Sequence, residues 1–460
     1  MENLRVSSYL NHVEIGDGTA LLYNGATLCM DLVPVEYARR LAEGADLSFL
    51  APEETEHLVK RGHLTPYSPQ RELAEFRKTA RTILAHRQKL DEAPKFVTLC
   101  FILTYDCNLS CTYCFQRTLP ENVRALSMSG EFIDRFFTSY YPQLFPAAPQ
   151  TVLISLFGGE PLLAKNREAI VRILDYARER PSFRVSVSTN AVNVAEMADL
   201  IGPEQGRITH VHVTLDGDRI FHDQKRIPRS GKPTFAVMIE AIRLLLAKNV
   251  QLSLRVHIHP ERVDATQNLV AYLEKGNLLG PQVSLYFSPI NLPGSDKVSL
   301  NASPIFPQLF QDTALKLGYP PSNLTFMKDF LMMQKEKLLP KVKYCSAGSN
   351  NFYLIDPLGD IYGCYEDAGH KERRIGAIEN GKVEFYPLKE EYAGRHLLKL
   401  PECVRCSAAL FCGGGCPSEA RLQKGSMYKA YCHQNKEFIA QTLKAYFLLN
   451  QQAYNGLQEG

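Results

Sequence analysis

The chain has 460 residues, and 52 Lys and Arg against 49 Asp and Glu leave a net charge of +3, which favours neither a nucleic-acid nor a membrane partner. A hydrophobic fraction of 45% beside 22% charged residues describes a soluble globular protein with room for two or three cores. The most apolar run, residues 96–103, is too short to span a bilayer, and the Met-Glu-Asn-Leu-Arg start lacks a secretory pattern, so a cytoplasmic protein is expected.

In chain order, Val13-Glu14-Ile15, a Gly16-Asp17-Gly18 turn and Leu21-Leu22-Tyr23 predict a hairpin that Asn24-Gly25 breaks, with extended chain resuming over 28–32. Helical periodicity follows over 35–41 and 72–90, the second stretch rich in Arg and Lys. Residues 96–290 then alternate strands (97–105, 152–157, 184–189, 210–215, 252–259 and 283–287) with amphipathic helices such as 132–145, 167–178 and 235–248. Six such units predict an α/β fold, an open, partial (β/α)6 TIM-like barrel of parallel strands. A connecting region with helical stretches is expected over 291–340, a cysteine-rich, glycine-punctuated domain held by metal over 341–435, and a closing amphipathic helix within 436–460.

Three successive strands carry alternating patterns where buried parallel strands are usually apolar throughout. Arg184, Ser186, Ser188 and Asn190 share one face, as do His210, His212, Thr214 and Asp216, and as do Ser253, Arg255, His257 and His259; the opposite faces are Val, Leu and Ile. With the apolar faces against helices, the barrel interior is polar and suits a charged ligand and water. An antiparallel sheet with one wet face is the alternative, and none of the four histidines is assigned to a metal.

Twelve cysteines in a reducing compartment point to metal rather than disulfides. Cys29 and Cys100 stand alone in apolar stretches and read as small buried hydrophobes. Cys107-Asn-Leu-Ser-Cys111-Thr-Tyr-Cys114 directly follows the first barrel strand, where such folds place their chemistry. Three thiolates on one loop can wrap an iron–sulfur cubane and leave one iron open, whereas a zinc site would want a fourth ligand nearby. Further on come Cys345, a Gly359-x4-Cys364 element, Cys403-x-x-Cys406, Cys412, Cys416 and Cys432; taken alone, residues 403–416 also suit a zinc knuckle.

The triad, with Tyr113 before its last cysteine, resembles the motif of the radical S-adenosylmethionine (SAM) superfamily. Gly158-Gly159-Glu160-Pro161 resembles that superfamily's Gly-Gly-Glu-Pro motif, which holds the SAM amino group, and Ser188-Thr189-Asn190 resembles the segment that contacts the ribose. Leu215-Asp216-Gly217, followed by His222-Asp223 and Arg226, is similar to the fourth-strand segment of the peptide-modifying branch, in which an arginine at the place of Arg255 lies near the SAM ribose or carboxylate. The resemblance implies a 4Fe–4S cluster at Cys107, Cys111 and Cys114 that reductively cleaves bound SAM to a 5′-deoxyadenosyl radical, with flavodoxin or ferredoxin as electron donor.

The C-terminal cysteines resemble the SPASM domain, which carries two auxiliary 4Fe–4S clusters. That resemblance gives one cluster Cys403, Cys406, Cys412 and Cys432, and the other Cys345, Cys364 and Cys416. The second is one thiolate short, since residues 346–351 hold no cysteine, which implies an open iron or a non-cysteine ligand. Residues 1–95 resemble the small winged-helix-like element that binds leader peptides by strand addition in maturases of ribosomally made peptides. The basic helix with Arg77, Lys78 and Arg81 then either meets an acidic leader or is simply a solvated face. Together these imply a peptide substrate and a thioether crosslink, a carbon–carbon crosslink or another oxidised side chain. Anaerobic sulfatase-maturating enzymes are a second resemblance. They carry an aspartate base after the Gly-x4-Cys cysteine, where this chain has Tyr365 followed by Glu366 and Asp367, the pair taken as candidate acid or base. A non-catalytic, zinc-rich peptide-binding protein is the alternative from another class.

Overall fold

The computed structural model describes residues 4–259, 262–289, 333–334, 337–432 and 435–458, so most of the region expected to connect the domains over 291–340 lies outside the described residues. The described residues fall into two compact units. One draws on Met1–Gln88, Ala302–Cys345 and Arg395–Gly460, the other on Lys89–Asn301 and Ser346–Gly394.

The first unit opens with β1 (Arg5–Val6), β2 (Leu10–Gly16), β3 (Thr19–Asn24), β4 (Met30–Pro34) and β5 (Leu64–Thr65). Strands β2, β3 and β4 form an antiparallel sheet in that order, and β1 pairs with β5. Asp17, at the tip of the predicted hairpin, takes a positive φ of 49° between two glycines, the conformation a tight reversal needs. Helices Val35–Ala42 and Pro52–Lys60 follow, and Ala38, Leu41 and Leu58 bury against Ala20 and Leu22 of β3. The long helix Pro69–Glu92 presents Phe76, Ala80 and Leu84 to a separate core, completed by Tyr9 and by Leu397, Leu400, Val404 and Leu410. Within this unit the N-terminal strands are therefore welded to the later cysteine-bearing segment. Tyr9 Oη donates to the Val404 carbonyl at 2.6 Å and Asn11 Nδ2 to the Ser407 carbonyl at 2.6 Å. A Cβ on Gly25 would lie 2.0 Å from the Ser407 oxygen, so only glycine allows that approach. Cys29, expected to be buried, is partly exposed: its turn neighbours Ala26 and Leu28 pack against the core of the long helix, and Cys29 itself belongs to neither core.

The second unit is the barrel. Its strands β6 (Phe96–Thr104), β7 (Thr151–Gly158), β8 (Phe183–Thr189), β9 (Ile208–Leu215), β10 (Gln251–Ile258) and β11 (Val283–Pro289) lie side by side in sequence order, every pair parallel. The parallel registers remove the antiparallel alternative and leave the partial barrel expected from the sequence. Val185, Val187, Val211, Val213, Leu215, Leu254, Val256 and Ile258 are fully buried on the outer faces. Each contributes roughly 1.5–3 kcal/mol of burial. The alternate positions His210, His212, Arg255 and His257 keep partial exposure inside.

Beyond the barrel, a two-residue hairpin of β12 (Met333–Gln334) and β13 (Lys337–Leu338) stands apart. Four short strands, β14 (Phe352–Ile355), β15 (Asp360–Tyr362), β16 (Gly376–Glu379) and β17 (Lys382–Phe385), then extend the barrel sheet past β6. β14 runs parallel to β6 with Phe352 opposite Thr98, and the remaining pairs are antiparallel. The chain closes in helix Asn435–Gln458.

Candidate active site above the barrel

The loop bearing Cys107, Cys111 and Cys114 leaves the C-terminal end of β6 and is pinned on two sides. On one side the β7 terminus packs so closely that Cβ atoms on Gly158 and Gly159 would lie 2.1 Å from the Thr104 oxygen and 2.0 Å from the Asp106 oxygen. Gly158 also adopts a positive φ of 136°, and the Gly159 and Glu160 amides donate to the Thr104 and Asp106 carbonyls at 2.8 Å each. The two glycines are thus required by a backbone-to-backbone approach. On the other side residues 225–229 brace the loop: the Ser110 amide donates to the Ile227 carbonyl at 2.6 Å, Thr112 to Lys225 at 3.2 Å and Arg229 to Asn108 at 2.9 Å. Sequence reasoning missed this brace, as well as Asn108 and Asn193, which bond one another at 2.8 Å beside the loop. Only an Ile-Pro-Arg run marks it in the sequence.

Glu160 is wholly buried and fully engaged. Its oxygens accept from the Leu162 amide at 2.9 Å, Thr189 Oγ1 at 2.7 Å and the Asn190 amide at 2.7 Å. Burial pushes this carboxyl above the ordinary range, against the pull of those three donors. Its position ties the Gly-Gly-Glu-Pro turn to the end of β8, which holds Ser188, Thr189 and Asn190. Asn190 then reaches the triad, donating to Asn108 Oδ1 at 2.6 Å and approaching Cys107 Sγ at 3.7 Å.

The triad thiols suit a metal cluster. Burial pushes the Cys107 thiol up to about 12, and burial also raises Cys111. Such groups ionise only against a cation or metal. The Leu109 amide, 3.4 Å from Cys107 Sγ, offers a hydrogen bond to that sulfur. Among the described residues no three Cys, His, Asp or Glu side chains converge as about a single ion. A cubane spreads its thiolates more widely than one ion does.

Beneath the triad lies a buried charge network. Tyr113 Oη donates to Asp216 Oδ2 and accepts from Arg226 Nη1 at 2.8 Å. Asp216, fully buried, pairs with His257 Nδ1 at 2.8 Å, with His259 Nε2 at 3.8 Å and with Arg226 at 3.7 Å. Burial alone would raise Asp216, but His257, His259 and Arg226 hold it well below the usual carboxylate range. The same register brings His210 Nε2 to Ser253 Oγ at 2.7 Å and Arg255 Nε to Thr214 Oγ1 at 3.2 Å. Burial pushes His212, stacked on His210, down to about 4, with the neighbouring His210 and Arg255 adding to it. The polar face expected from the alternation is therefore an internally bonded lining.

Glu366 and Asp367 differ in setting. Asp367 is fully buried and accepts from Tyr392 Oη, while Glu366 is half-exposed. Tyr365 is the residue that meets the barrel interior, its ring edge-on to Phe157 at 4.8 Å and its hydroxyl bonded to the Cys100 thiol.

In the first unit, Cys403 has Cys412, Cys432 and Cys406 as its electrostatic neighbours, and Cys416 has Cys345, so the structure brings together two groups. Cys364 belongs to the barrel unit. Arg395 is buried among the first unit's thiols. Its guanidinium donates to the carbonyls of Met427, Gly415 at 2.8 Å and Gly414 at 2.7 Å, and it meets no carboxylate among the described residues. A buried cation without a carboxylate calls for another anion, and Cys403, Cys345, Cys416 and Cys412 are the groups whose negative charge would act on it. Both cysteine groups therefore fit anionic, thiolate-held metal.

Residues 101–273, which hold the triad, the Gly-Gly-Glu-Pro turn and the charge network, match the Radical SAM superfamily. The chain is a radical SAM enzyme. The non-catalytic zinc-binding alternative is thereby set aside. The superfamily implies a 4Fe–4S cluster and SAM. A serine-type anaerobic sulfatase-maturating enzyme of Klebsiella aerogenes is 24% identical over 349 residues, 68% of this chain and 77% of that one. A cysteine-type enzyme of Clostridium novyi is 21% identical over 358 residues, 74% and 92% of the two chains. The fold of this radical SAM enzyme is similar to native anSMEcpe with bound AdoMet (TM-score 0.57, 16% identity, 79% of this chain and 99% of that chain). It is also similar to Streptococcus suis SuiB bound to its precursor peptide SuiA (TM-score 0.53, 16% identity, 94% and 99%). No helix among the described residues is long and apolar enough to cross a membrane.

Proposed function

We propose that this radical SAM enzyme modifies a ribosomally made peptide, abstracting a hydrogen from it and leaving a thioether crosslink, a carbon–carbon crosslink or a similar oxidised side chain. The observation that carries this reading is the N-terminal element built into the first unit. It presents β4, which pairs with β3 alone among the described residues and carries the exposed Leu32 at its centre. An open strand edge binds an extended peptide through its backbone with little demand on sequence. The likeness to SuiB spans 94% of the chain where that to anSMEcpe spans 79%, which agrees with a substrate-binding addition.

When bound, a reduced cluster and SAM supply a 5′-deoxyadenosyl radical. In this reading Cys107, Cys111 and Cys114 hold that cluster, and Tyr113, Gly158, Gly159, Glu160, Pro161, Ser188, Asn190, Asp216 and Arg255 form the SAM cradle. Glu160 fixes the turn against β8, Asp216 orients Tyr113, and the barrel lining excludes bulk water. Cys403, Cys406, Cys412 and Cys432 hold one auxiliary cluster. By the SPASM resemblance Cys345, Cys364 and Cys416 would be the thiolates of another, with an open iron that could take a substrate thiol, or a non-cysteine ligand, in the fourth place. A reduced flavodoxin or ferredoxin supplies electrons, and Glu366 is better exposed than Asp367 to take a proton.

Formylglycine formation is the second reading, favoured by the sulfatase-maturating relatives. Tyr365 counts against it: burial raises this phenol, already bonded to Cys100, far above the range of a working base. Two substrates separate the readings: a short peptide sought among the neighbouring genes and co-expressed, and a sulfatase peptide bearing the target Ser or Cys. Mass spectrometry is expected to find the first lighter by two hydrogens and the second unchanged. Conversion of the sulfatase peptide alone would overturn the proposal.

A further inference from the structure

A buried arginine stands beside the triad loop with little solvent to screen it. Arg226 follows Lys225, whose carbonyl receives the Thr112 amide inside the cluster loop at 3.2 Å, and its guanidinium donates to Tyr113 Oη at 2.8 Å between Cys111 and Cys114. Its side chain is only 9% exposed, and Asp216, 3.7 Å away, is fully buried. Arg226 and Asp216 are the two charged groups, of opposite sign, that act most strongly on Cys111. The other ions near the loop are the exposed Arg117, which donates to the Cys111 carbonyl at 3.3 Å, and Asp106, Lys165 and Arg229, paired at 3.0 and 2.9 Å, with side chains 33–47% exposed and screened by water. The buried Glu160 acts on Cys107, on the far side of the loop from Tyr113, and is unchanged in the variants below. Charge at a buried site acts through a far lower effective dielectric. The potential of an iron–sulfur cluster responds to nearby charge and burial.

We infer that Arg226 and Asp216 form an opposed pair that sets the reduction potential of the cluster held by Cys107, Cys111 and Cys114. Arg226 draws the potential up by stabilising the reduced, more negative cluster, and Asp216 draws it down. His257, bonded to the same carboxylate at 2.8 Å, limits how much of the Asp216 charge the cluster feels. Tyr113, between the two, transmits position: it fixes Arg226 relative to the loop. Arg226 is thus a positioning and tuning residue, touching neither substrate nor SAM in this account. The inference rests on the cluster at the triad and is independent of which peptide is modified.

The test is a potentiometric titration of the full-length, anaerobically reconstituted enzyme, followed by electron paramagnetic resonance, with the triad's cluster identified as the signal that changes when SAM is added. Arg226→Gln is expected to shift that midpoint downward, Asp216→Asn to shift it upward, and Arg226→Lys to stay near the parent. A purely structural role would move both neutralising variants in the same direction, or neither, and either outcome overturns the proposal. If Arg226→Gln does not fold, the Asp216→Asn shift measured against Arg226→Lys decides alone: upward supports, unchanged or downward overturns. Absence of any SAM-responsive signal in the parent protein would instead count against the cluster at the triad.

Discussion

At the scale of single residues, charge and hydrogen bonding decide more than identity does. Glu160 accepts three donors at once, two of them backbone amides that no other group could satisfy so deep in the fold. Replacing it with Gln turns one acceptor into a donor facing a buried N–H, at a cost of about 1–3 kcal/mol. Glu160→Gln should therefore lower the melting temperature and weaken SAM binding together, which differential scanning fluorimetry with and without SAM would show. Asp31, in the first unit, offers a different test. Burial alone would raise it, but bonds from His63 Nε2 at 2.7 Å, Arg61 Nε at 2.7 Å and His57 Nε2 at 2.9 Å hold it near 2, against an ordinary 3.8. Because the folded value is depressed, the stabilisation is complete above 3.8 and fades as pH falls toward 2. Asp31→Asn should destabilise the first unit by about 1–2 kcal/mol at neutral pH. The difference from the parent should shrink in acid, and chemical denaturation at several pH values would measure it.

At the scale of elements, the glycines at the end of β7 show why a motif reads so clearly in the sequence. Gly158 and Gly159 stand where the backbone of the triad loop passes within van der Waals contact, so their identity is forced. Gly159→Ala is expected to cost about 1–3 kcal/mol through overpacking and to deplete the iron bound at the triad. Unaltered iron content and melting temperature would contradict that. The barrel strands were legible for a related reason. Each carries an apolar outer face and a polar inner one, and the six predicted spans fall within one or two residues of the observed strands. The strands from β14 to β17 were not legible. They are three or four residues long and glycine-separated, and β14 pairs with β6, some 250 residues earlier, a partnership that leaves no local signal. Residues 346–394 were accordingly grouped in the sequence with the cysteine-rich segment, whereas here they extend the barrel sheet. At the site, Cys107, Cys111 and Cys114 and the turn at Gly158-Gly159-Glu160-Pro161 were visible from spacing. The brace at residues 225–229 was not, because backbone hydrogen bonds ask nothing of side chains.

At the scale of the whole molecule, the chain combines three kinds of part: a barrel with a polar lining, a thiol-rich segment that holds Arg395, and an N-terminal element whose Tyr9 and long helix share a core with that segment. Three cubanes would give roughly ten to twelve irons per chain. Replacing Cys107, Cys111 and Cys114 with Ala should remove about four of them and leave the auxiliary set. An iron assay that fell to zero would mean the clusters do not assemble independently. The most direct measurement is the yield of 5′-deoxyadenosine from SAM by the reduced, anaerobically prepared enzyme, followed alongside the mass of a candidate precursor peptide sought among the neighbouring genes. The account predicts 5′-deoxyadenosine from the parent and none from the Cys107, Cys111 and Cys114 variant, with peptide lighter by two hydrogens accumulating in step. Peptide modified equally by the variant, or 5′-deoxyadenosine formed while the peptide mass stays unchanged, would contradict it.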